Sequence, residues 1–562
     1  MTSTRKNTMK ILEMKTRSQI RASRLALVMV RTSMSSVIRH LAFSVGLTLS
    51  LGLGGIRVFA QEPTVPPVAQ QLKLPGIFCD HVVLQREKPI RIWGWAPAGE
   101  KVTVEFSGQT KEAKADAQGK WQLLLAPLPA SAEGKTLVVR SGSAEIKVSD
   151  VAVGEVWFCS GQSNMELSLG KYIAEEQKEA ENPQIRFFTY SRQANAKPED
   201  DIKNGRWLVV GPQTVGHVYA TAYYFGKMVQ KELGVPVAFI QGAIGGTPIQ
   251  AWMAREAFAS EPEIDQIAET GLKLNKEGEI KNKEYLAHGG DPQKLPWPLW
   301  RVYATPSRLY NGMVHPFTPF TIRGFLWYQA EDNLGNPQAY GKLFPAHIKG
   351  WRTAWGGGDL PFYYCQLPGV VVKGGPTPEG NVALMRLIQA QAQSLPKTGM
   401  AVIYDTAEAD NNHPENKRPH GERLARLALA KDYGKAIAYS GPVYAASKVE
   451  GGHIRVSFSS VGSGLEAKEI PLEYRPSTRK PEIKPVTRTN PGSQLEGFQI
   501  QNQKGEWIWS EAHIDGNDVV VAVNEGTQVK GIRYACIDFG FFNLFNKDGL
   551  PAVPFEAPIT NF

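Results

Sequence analysis

The 562-residue sequence predicts an α/β protein: a three-layer αβα domain with a parallel sheet, flanked by N-terminal and C-terminal β-sandwich-like regions. Between residues 151 and 435, apolar runs with few charges alternate with helical patterns, which is typical of a parallel sheet covered by helices. On both sides of this stretch, short runs alternate apolar and polar residues between turn residues, as in antiparallel sheets. The chain is also too long for a single hydrophobic core, so several domains are expected.

The central domain, 151–435, contains the strands on which the site prediction depends. They are "EVWFCS", "VPVAFIQGA", "IRGFLWYQ", "LPFYYCQL" and "GMAVIYD", and the helical patterns between them include "ATAYYFGKMVQKEL" and "HGERLARLALAKDYG". In such sheets the loops after the strands converge on one crevice, so the residues that follow each strand are the candidates for chemistry. A charged and then Pro- and Trp-rich stretch, at about 260–305, is predicted to be an insertion in this domain.

Two β-regions flank the central domain. Residues 61–150 contain "IRIWGWA", "KVTVEFSG" and "KTLVVRSG", which predict an N-terminal β-sandwich domain. Residues 436–562 contain "HIRVSFSS", "GFQIQN" and "DVVVAV", which predict a C-terminal β-rich region.

The basic charge of the chain is confined to its first 60 residues. The formal net charge is +9, and residues 1–60 carry ten basic side chains against one acidic side chain, Glu13. The rest of the chain is therefore neutral overall. Its net charge gives no reason to expect a nucleic-acid partner.

Residues 1–60 are predicted to be a signal peptide. A positive stretch ending at Arg39 precedes an apolar segment, 41–56, and cleavage is expected before Gln61. Met34 is an alternative start that would leave a signal peptide of ordinary length. The competing interpretation is an uncleaved anchor, although the apolar run is short for a bilayer and rich in Gly and Ser. We expect a periplasmic or extracellular protein with no membrane partner once the signal is removed.

Several chemistries have no signature in the sequence. The four cysteines, Cys79, Cys159, Cys365 and Cys536, show no metal-like or redox spacing, although a disulfide after export stays open. The chain lacks G-x-S-x-G, H-E-x-x-H, a phosphate loop and a strand-linked G-x-G-x-x-G. No cofactor or metal is predicted.

Ser163, in "FCSGQSNMEL", is the candidate nucleophile. It follows an apolar strand through Gly161 and precedes a segment that can begin a helix, where free N-H groups and the positive helix end favour an anion. The alternative is a serine that only caps the helix. Cys159 is a rival nucleophile that is better interpreted as a small apolar residue within the strand.

Asp410 and His413, in "DNNHPENKRPHGERLA", are the candidate acid and base. A serine hydroxyl is a weak nucleophile and needs a base, which is in turn oriented by an acid. The D-x-x-H spacing allows one loop to bring the carboxylate back to the imidazole, but such a turn can also cap the next helix. His420 and His315 are the second and third candidates for the base.

Two further strand ends offer donors to an oxyanion. Gly245 and Gly246, in "GAIGGTPIQAW", allow close approach of a backbone N-H, and Gln329, in "WYQAEDN", offers a side-chain amide. The predicted oxyanion donors are the N-H groups of Ser163 and Gly246 and the Gln329 amide.

Taken in order, these blocks resemble the SGNH hydrolase superfamily and, within it, the sialate O-acetylesterase family of carbohydrate esterases. The blocks "FCDHVVLQREKPIRIWGWAPAGEKVTVEFSGQ" and "LYNGMVHPFTPFTIRGFLWYQAEDN" also carry this resemblance, which covers nearly all of residues 72–556. It implies an SGNH-type central domain, with Ser163 as nucleophile, His413 as base, and Gly246 and Gln329 at the oxyanion. Some family members work with a Ser-His dyad and no acid. Asp410 is kept as the acid because the D-x-x-H spacing to His413 is present in this chain.

The chain departs from the family pattern at Ala330, where glycine is expected beside the oxyanion donor. A methyl group there is expected to narrow the pocket or shift Gln329. Glu331 and Asn333 are interpreted as residues that hold this loop.

The resemblance implies removal of acetyl groups from an O-acetylated sugar or glycan through an acyl-enzyme. Two substrates stay open: a sialic acid ester, which favours an Arg or Lys in the pocket, and an acetylated plant polysaccharide such as xylan, which favours an aromatic groove. Trp297 and Trp300 of the insertion suggest the groove, but they can equally pack a long loop. A non-catalytic carbohydrate-binding protein is the alternative from another class, and Ala330 is its only support.

Overall fold

The computed structural model describes most of the chain from residue 71 onward. The described residues are 71–356, 358–371, 380–475, 484–524 and 528–559. The predicted signal peptide, 1–60, lies outside the described residues.

Seven strands build the N-terminal β-region and its link to the central domain. They are β1 (Val83–Gln85), β2 (Ile90–Trp95), β3 (Lys101–Phe106), β4 (Gln109–Lys114), β5 (Lys120–Leu125), β6 (Ser131–Ser141) and β7 (Ala144–Gly161). β3 pairs antiparallel with β4 and β6, β6 pairs antiparallel with β7, and β2 and β5 form a separate antiparallel pair. Two sheets therefore form here, as the alternating sequence predicts.

The central sheet continues from β7. Its other strands are β8 (Asn182–Thr189), β9 (Arg206–Val210), β10 (Val237–Ala243), β11 (Gly324–Tyr328), β12 (Phe362–Cys365) and β13 (Thr398–Ala401). The order is β13-β12-β11-β7-β10-β8-β9, and every neighbouring pair is parallel except β8 with β9. The connection from β10 crosses to the other side of β7, so the direction of winding changes at β7, which is where such sheets bind ligands.

β7 belongs to both the N-terminal β-region and the central sheet. Its first half pairs with β6, and its second half, Glu155 to Gly161, pairs with β10 and β11. The predicted domain boundary between residues 150 and 151 falls inside this strand. Continuous backbone hydrogen bonding therefore joins the two regions.

Among the described residues, nine α-helices cover or connect the strands. They are α1 (Ser163–Glu166), α2 (Ile173–Glu176), α3 (Ala220–Leu233), α4 (Arg255–Phe258), α5 (Pro262–Ala287), α6 (Leu299–Tyr303), α7 (Pro337–Trp355), α8 (Asn381–Gln391) and α9 (Arg418–Lys431).

The central sheet separates two cores, because successive side chains of a strand point to opposite faces. Trp157 and Cys159 of β7 pack with residues of α3 and α9 on one face. Phe158 packs with residues of α7 and α8 on the other face. The predicted αβα order of layers is thus observed.

The C-terminal β-region contains small antiparallel sheets. Its strands are β14 (Val443–Glu450), β15 (His453–Ser459), β16 (Leu465–Ala467), β17 (Glu473–Tyr474), β18 (Val486–Thr487), β19 (Phe498–Asn502), β20 (Trp507–Trp509), β21 (Ala512–Asp515), β22 (Asp518–Ala522), β23 (Val529–Tyr534), β24 (Leu544–Asn546) and β25 (Phe555–Pro558). They form sheets β14-β15-β22-β21 and β20-β19-β23-β25 and the pairs β16-β24 and β17-β18. The short pair β17-β18 matters for the site because Tyr474 lies on it.

The predicted insertion is mainly helical, with α5 and α6 inside it. Trp297 is half-buried against α5, where its indole N-H donates to Asn275 Oδ1 (3.1 Å) and its backbone N-H donates to Asn282 Oδ1 (2.8 Å). Trp297 therefore packs the loop. Trp300 is exposed, with the Arg301 guanidinium 4.7 Å from its ring centroid.

All four cysteines are free thiols in the structure. Over the described ranges, His, Cys, Asp and Glu side chains form no cluster suited to a metal ion. The helices within those ranges are all too short or too polar to cross a membrane.

Candidate active site

Ser163 lies where β7 ends at the middle of the sheet. Gly161 makes the turn with a φ of 138°, and a Cβ there would lie 2.1 Å from the carbonyl oxygen of Tyr328. Only glycine fits this turn without displacing β11. Ser163 is the first residue of α1, and the position before it is Gln162, whose side chain makes no capping hydrogen bond. Ser163 is therefore not a cap, and it stays partly exposed.

The structure brings His413 to Ser163 across 250 residues of chain. His413 Nε2 lies 2.7 Å from Ser163 Oγ, which is hydrogen-bonding distance. The Asn411 side chain holds the backbone of His413 on both sides: Oδ1 accepts from His413 N (3.0 Å), and Nδ2 donates to His413 O (2.8 Å). When the imidazole is neutral, Ser163 donates its hydroxyl proton towards His413 Nε2. The loop that contains His413 keeps this base in place.

Asp410 begins the same loop and is buried, with 6% of its surface exposed. Its Oδ1 accepts a 2.7 Å hydrogen bond from the hydroxyl of Tyr474 on β17. The C-terminal β-region thus contributes directly to the surroundings of the predicted acid.

The rival residues occupy positions unsuited to the chemistry. His420 is fully buried on α9, where its Nε2 lies 2.8 Å from Thr406 Oγ1 and burial lowers its pKa well below the usual range. His315 Nδ1 lies 2.9 Å from the carbonyl oxygen of Glu199 and the ring lines another cavity. Cys159 is fully buried in the core, and burial raises the pKa of its thiol well above the usual range.

The glycine pair after β10 lies directly against Ser163. A Cβ on Gly245 would lie 3.1 Å from Ser163 Cβ, and Gly245 N already donates to Glu166 Oε2 (2.7 Å). Gly246 adopts a left-handed φ of 69°. Among the described residues, the backbone N-H groups of Ser163 and Gly246 have no hydrogen-bond acceptor. These two groups are the backbone donors that the sequence predicts for an oxyanion, and that role stays a prediction.

The amide of Gln329 is oriented differently from the prediction. Gln329 is fully buried, and its Nε2 donates to Thr247 O (3.3 Å) and Asn333 Oδ1 (2.8 Å), which uses both hydrogens. Its Oε1 has no partner within the described part of the chain. In this conformation Gln329 holds the loop and offers no free donor, so its oxyanion role requires the amide to turn.

Asn333 links that loop to the segment after β10. Its Oδ1 also accepts from Ile249 N (2.9 Å), and its Nδ2 donates to Gln250 Oε1 (3.0 Å). These contacts agree with its interpretation as a residue that holds the loop.

Ala330 does not strain this loop. Its φ is 167°, close to extended backbone and outside the left-handed range that favours glycine. The methyl group is fully buried in the apolar core. The departure from the family pattern is therefore accommodated by packing.

A polar network beside Ser163 joins Glu331, which the sequence analysis interprets as holding its loop, with Asn164 and Lys417, which it does not single out. Asn164 Nδ2 donates to Glu331 Oε1 and also to the carbonyl oxygen of Asn412, which lies 2.9 Å away. Asn164 Oδ1 accepts a hydrogen bond from Lys417 Nζ (2.5 Å). Burial raises the pKa of Glu331 and lowers that of Lys417 to about 8. Asn164 therefore ties together the loops after β7 and β11 and the loop of His413.

Comparison with known proteins gives independent evidence on the family. No family model matches the chain. The chain is 28% identical to the sialate O-acetylesterase of Rattus norvegicus over 414 residues, which is 65% of this chain and 74% of the relative. It is 27% identical to that of Homo sapiens over 401 residues, or 64% of this chain and 71% of the relative.

A solved structure agrees over most of the chain. A carbohydrate acetylesterase from Xanthomonas citri superposes with a TM-score of 0.72 and 29% identity, covering 87% of this chain and 99% of that one. The predicted resemblance to sialate O-acetylesterases is confirmed. The predicted fold class is confirmed as well. At family level, these similarities indicate an ester hydrolase of the carbohydrate acetylesterase type.

Proposed function

We propose that the protein is an exported serine esterase that removes acetyl groups from O-acetylated sugars, with Ser163, His413 and Asp410 as its triad. The observation that carries this proposal is the 2.7 Å contact between Ser163 Oγ and His413 Nε2 at the end of β7. A hydroxyl that is partly exposed, paired with an imidazole and placed beside free N-H groups meets the geometric requirements of acyl transfer.

In the first step, Ser163 Oγ attacks the acetyl carbonyl carbon while His413 Nε2 takes the hydroxyl proton. The carbonyl oxygen becomes an oxyanion, which accepts hydrogen bonds from the N-H groups of Ser163 and Gly246. Loss of one such donor typically costs about 3 kcal/mol of transition-state stabilisation. The tetrahedral intermediate then expels the sugar oxygen, which receives the proton from His413.

In the second step, water attacks the acetyl-enzyme. His413 takes a proton from the water, the same two N-H groups bind the oxyanion, and the bond between the acetyl carbon and Ser163 Oγ breaks. His413 returns this proton to Ser163 Oγ, and acetic acid leaves and gives its own proton to the solvent as it ionises to acetate. In both steps Asp410 is proposed to orient the imidazole and to stabilise its protonated form.

The sugar is either a sialic acid or a neutral plant polysaccharide such as xylan. Acetate release from acetylated sialosides and from acetylated xylan, measured side by side for wild type and Ser163→Ala, tests both the function and the sugar. Release by wild type but not by Ser163→Ala supports the proposal. Glycan binding with no acetate released from any acetylated sugar would establish the non-catalytic alternative instead.

Export is part of the proposal and is tested separately. Expression of the full chain in a Gram-negative host, followed by fractionation and N-terminal sequencing, should place the mature protein in the periplasm or medium with Gln61 as its first residue. Retention of the leader in the membrane fraction would instead support the uncleaved anchor.

A further inference from the structure

Asp332 places a carboxylate at the mouth of the Ser163 site. It belongs to the loop after β11, two residues after Ala330, and it is exposed. Its Oδ2 lies 3.8 Å from the position that a Cβ on Gly246 would occupy. Gly246 is exposed too, so the carboxylate and this predicted oxyanion donor border the same opening to solvent.

The distance between Asp332 and the predicted oxyanion site suits a sugar. An N–Cα bond and a Cα–Cβ bond are each about 1.5 Å long, so Asp332 Oδ2 lies within about 7 Å of Gly246 N. A Cβ on Gly245 would lie 3.1 Å from Ser163 Cβ, so the same glycine pair also touches the nucleophile. In a sugar acetate, the hydroxyl group on the ring carbon next to the ester is only a few bonds from the carbonyl oxygen. A sugar whose carbonyl oxygen binds the Gly246 N-H therefore brings that hydroxyl within reach of Asp332.

The backbone of Asp332 is held by both loops that flank the nucleophile. Its N-H donates to Gln162 Oε1 (3.3 Å), and Gln162 immediately precedes Ser163. Its neighbour Asn333 accepts a hydrogen bond from Ile249 N (2.9 Å) in the segment after β10. The position of the carboxylate relative to the site is therefore fixed by the fold.

The described residues leave the charge of Asp332 uncompensated. Among them, no group donates a hydrogen bond to its carboxylate and no cation forms an ion pair with it. Although Asp332 is exposed, the atoms packed around its carboxylate desolvate it and raise its pKa. A partly desolvated charge without a partner is costly, so a donor that a ligand supplies would stabilise it.

The cation beside Gly245, in contrast, already has a partner. Arg192 forms an ion pair with Glu166, whose Oε2 accepts a hydrogen bond from Gly245 N (2.7 Å). Together with Asp332, this pair leaves one uncompensated negative charge beside the glycines. A substrate carboxylate would meet that charge and would have to compete with Glu166 for Arg192.

We propose that Asp332 determines the substrate class: it accepts a hydrogen bond from a free hydroxyl next to the acetyl ester of a neutral sugar, and its charge disfavours a sugar that carries a carboxylate. A carboxylate accepts a stronger hydrogen bond than a neutral oxygen does, whereas two like charges repel each other. The inference rests on the proposed function for the role of Ser163. Of the two substrates named there, it favours the neutral polysaccharide over a sialic acid.

Three acetyl esters separate the two effects of Asp332. The first is a methyl glucoside acetylated at one ring hydroxyl, and the second is the equivalent acetylated methyl glucuronide, whose ring carries a carboxylate. The third is 4-nitrophenyl acetate, which has neither a hydroxyl group nor a charge. Acetate release gives kcat/KM for each ester, and wild type should prefer the glucoside to the glucuronide by about fivefold or more.

Two substitutions remove different properties of Asp332. Asp332→Asn keeps an acceptor oxygen but removes the charge, so it should reduce the preference for the glucoside over the glucuronide about fivefold. Asp332→Ala removes the acceptor as well. It should lower kcat/KM for the glucoside about tenfold relative to kcat/KM for 4-nitrophenyl acetate, mainly through KM.

The matched control is Asp359→Asn, which removes the same charge. Asp359 precedes β12 at the amino ends of the strands, opposite the site, and its Oδ1 lies 3.6 Å from Arg352 Nη1. This variant should keep the wild-type preferences among the three esters, and thermal unfolding midpoints report whether each variant folds. The inference is overturned if wild type prefers the glucuronide, or if folded Asp332→Ala loses as much activity on 4-nitrophenyl acetate as on the glucoside.

A binding measurement separates this inference from the proposed function. In the Ser163→Ala background, NMR titration measures the affinity for the acetylated glucoside with and without Asp332→Ala. If wild type releases no acetate from any ester but Asp332→Ala weakens binding about tenfold, the esterase is removed and Asp332 remains a sugar contact. If wild type releases acetate but Asp332→Ala changes neither the binding nor the preference among the esters, Asp332 is removed and the esterase remains.

Discussion

The hydroxyl of Tyr474 donates a 2.7 Å hydrogen bond to the carboxylate of Asp410, three residues before the histidine that contacts Ser163. Burial is the main cause that raises the pKa of Tyr474, and the neighbouring Asp410 raises it further. The hydroxyl therefore keeps its proton and remains a donor. Tyr474 lies on β17 of the C-terminal β-region. This region therefore takes part in positioning the predicted acid.

Tyr474→Phe should lower kcat about tenfold with little change in KM, because a hydrogen bond to a charged group is lost from the surroundings of Asp410. Steady-state kinetics on 4-nitrophenyl acetate measure both constants. Tyr444→Phe is the matched control, since it removes a hydroxyl that contacts Ser447 within the C-terminal region. Equal kcat values for Tyr474→Phe and Tyr444→Phe would contradict a positioning role.

Asp410→Asn should distinguish a triad from a Ser-His dyad. If Asp410 orients His413, the amide should lower kcat by about 10⁴-fold, which is a smaller loss than the roughly 10⁶-fold expected for Ser163→Ala. Single-turnover kinetics on the same ester provide the comparison. A kcat within about tenfold of wild type would show that Ser163 and His413 work as a dyad.

Much of the fold follows from sequence periodicity, and the pair Ser163 and His413 follows from where strands end. Each of these residues comes after a buried strand or in the loop that follows it, and the carboxyl ends of parallel strands meet at one edge. The passage of β7 from one sheet into the other gives no such signal, because its residues 151–161 are all buried and, apart from Glu155 and Ser160, carry no polar side chain.

The network around Asn164 could not be predicted from local patterns. Its partners Glu331 and Lys417 come from other loops, and only the assembled fold shows that they meet. The contact between Tyr474 and Asp410 could not be predicted for the same reason, since the two residues lie 64 positions apart in the chain. The direction of the Gln329 amide depends on Thr247 and Asn333, which accept its two hydrogens.

Asn164→Asp should lower kcat by about ten- to a hundredfold while KM changes less. The substitution keeps the shape and an acceptor for Lys417, but it removes the donors to Glu331 and to the carbonyl oxygen of Asn412, the neighbour of His413. Each lost buried hydrogen bond costs about 1–3 kcal/mol. Asn182→Asp is the control, because Asn182 lies at the start of β8 and its side chain donates to Gln230 on α3. An unchanged kcat in Asn164→Asp would exclude the network from positioning His413.

Lys417 should make the stability of the protein depend on alkaline pH. Burial lowers its pKa from 10.5 to about 8, while Glu331 acts in the opposite direction. Between these two values the unfolded chain holds a proton that the folded protein has lost. The contribution of Lys417 to stability therefore rises as the pH increases from about 8 to about 10.

Urea unfolding at pH 7.5, 8.5 and 9.5 measures this effect. The free energy of unfolding of wild type, minus that of Lys417→Met, should increase across the series. Lys349→Met, which removes an exposed lysine on α7, should show no such trend. A difference that stays constant or falls with pH would show that Lys417 keeps an ordinary pKa in the folded protein.

Gly246→Ala should separate backbone strain from loss of an oxyanion donor. Gly246 has a φ of 69°, and alanine in this left-handed region costs roughly 1–2 kcal/mol. Gly234 is the matched control, because it ends α3 with a φ of 66° and open space around its Cβ position. Both alanine variants should lose similar stability.

If the Gly246 N-H binds the oxyanion, only Gly246→Ala should also lower kcat/KM, by about a hundredfold, since the backbone must shift to relieve the strain. Thermal unfolding and esterase kinetics on the two variants provide the comparison, and equal kcat/KM values would remove Gly246 from the oxyanion site.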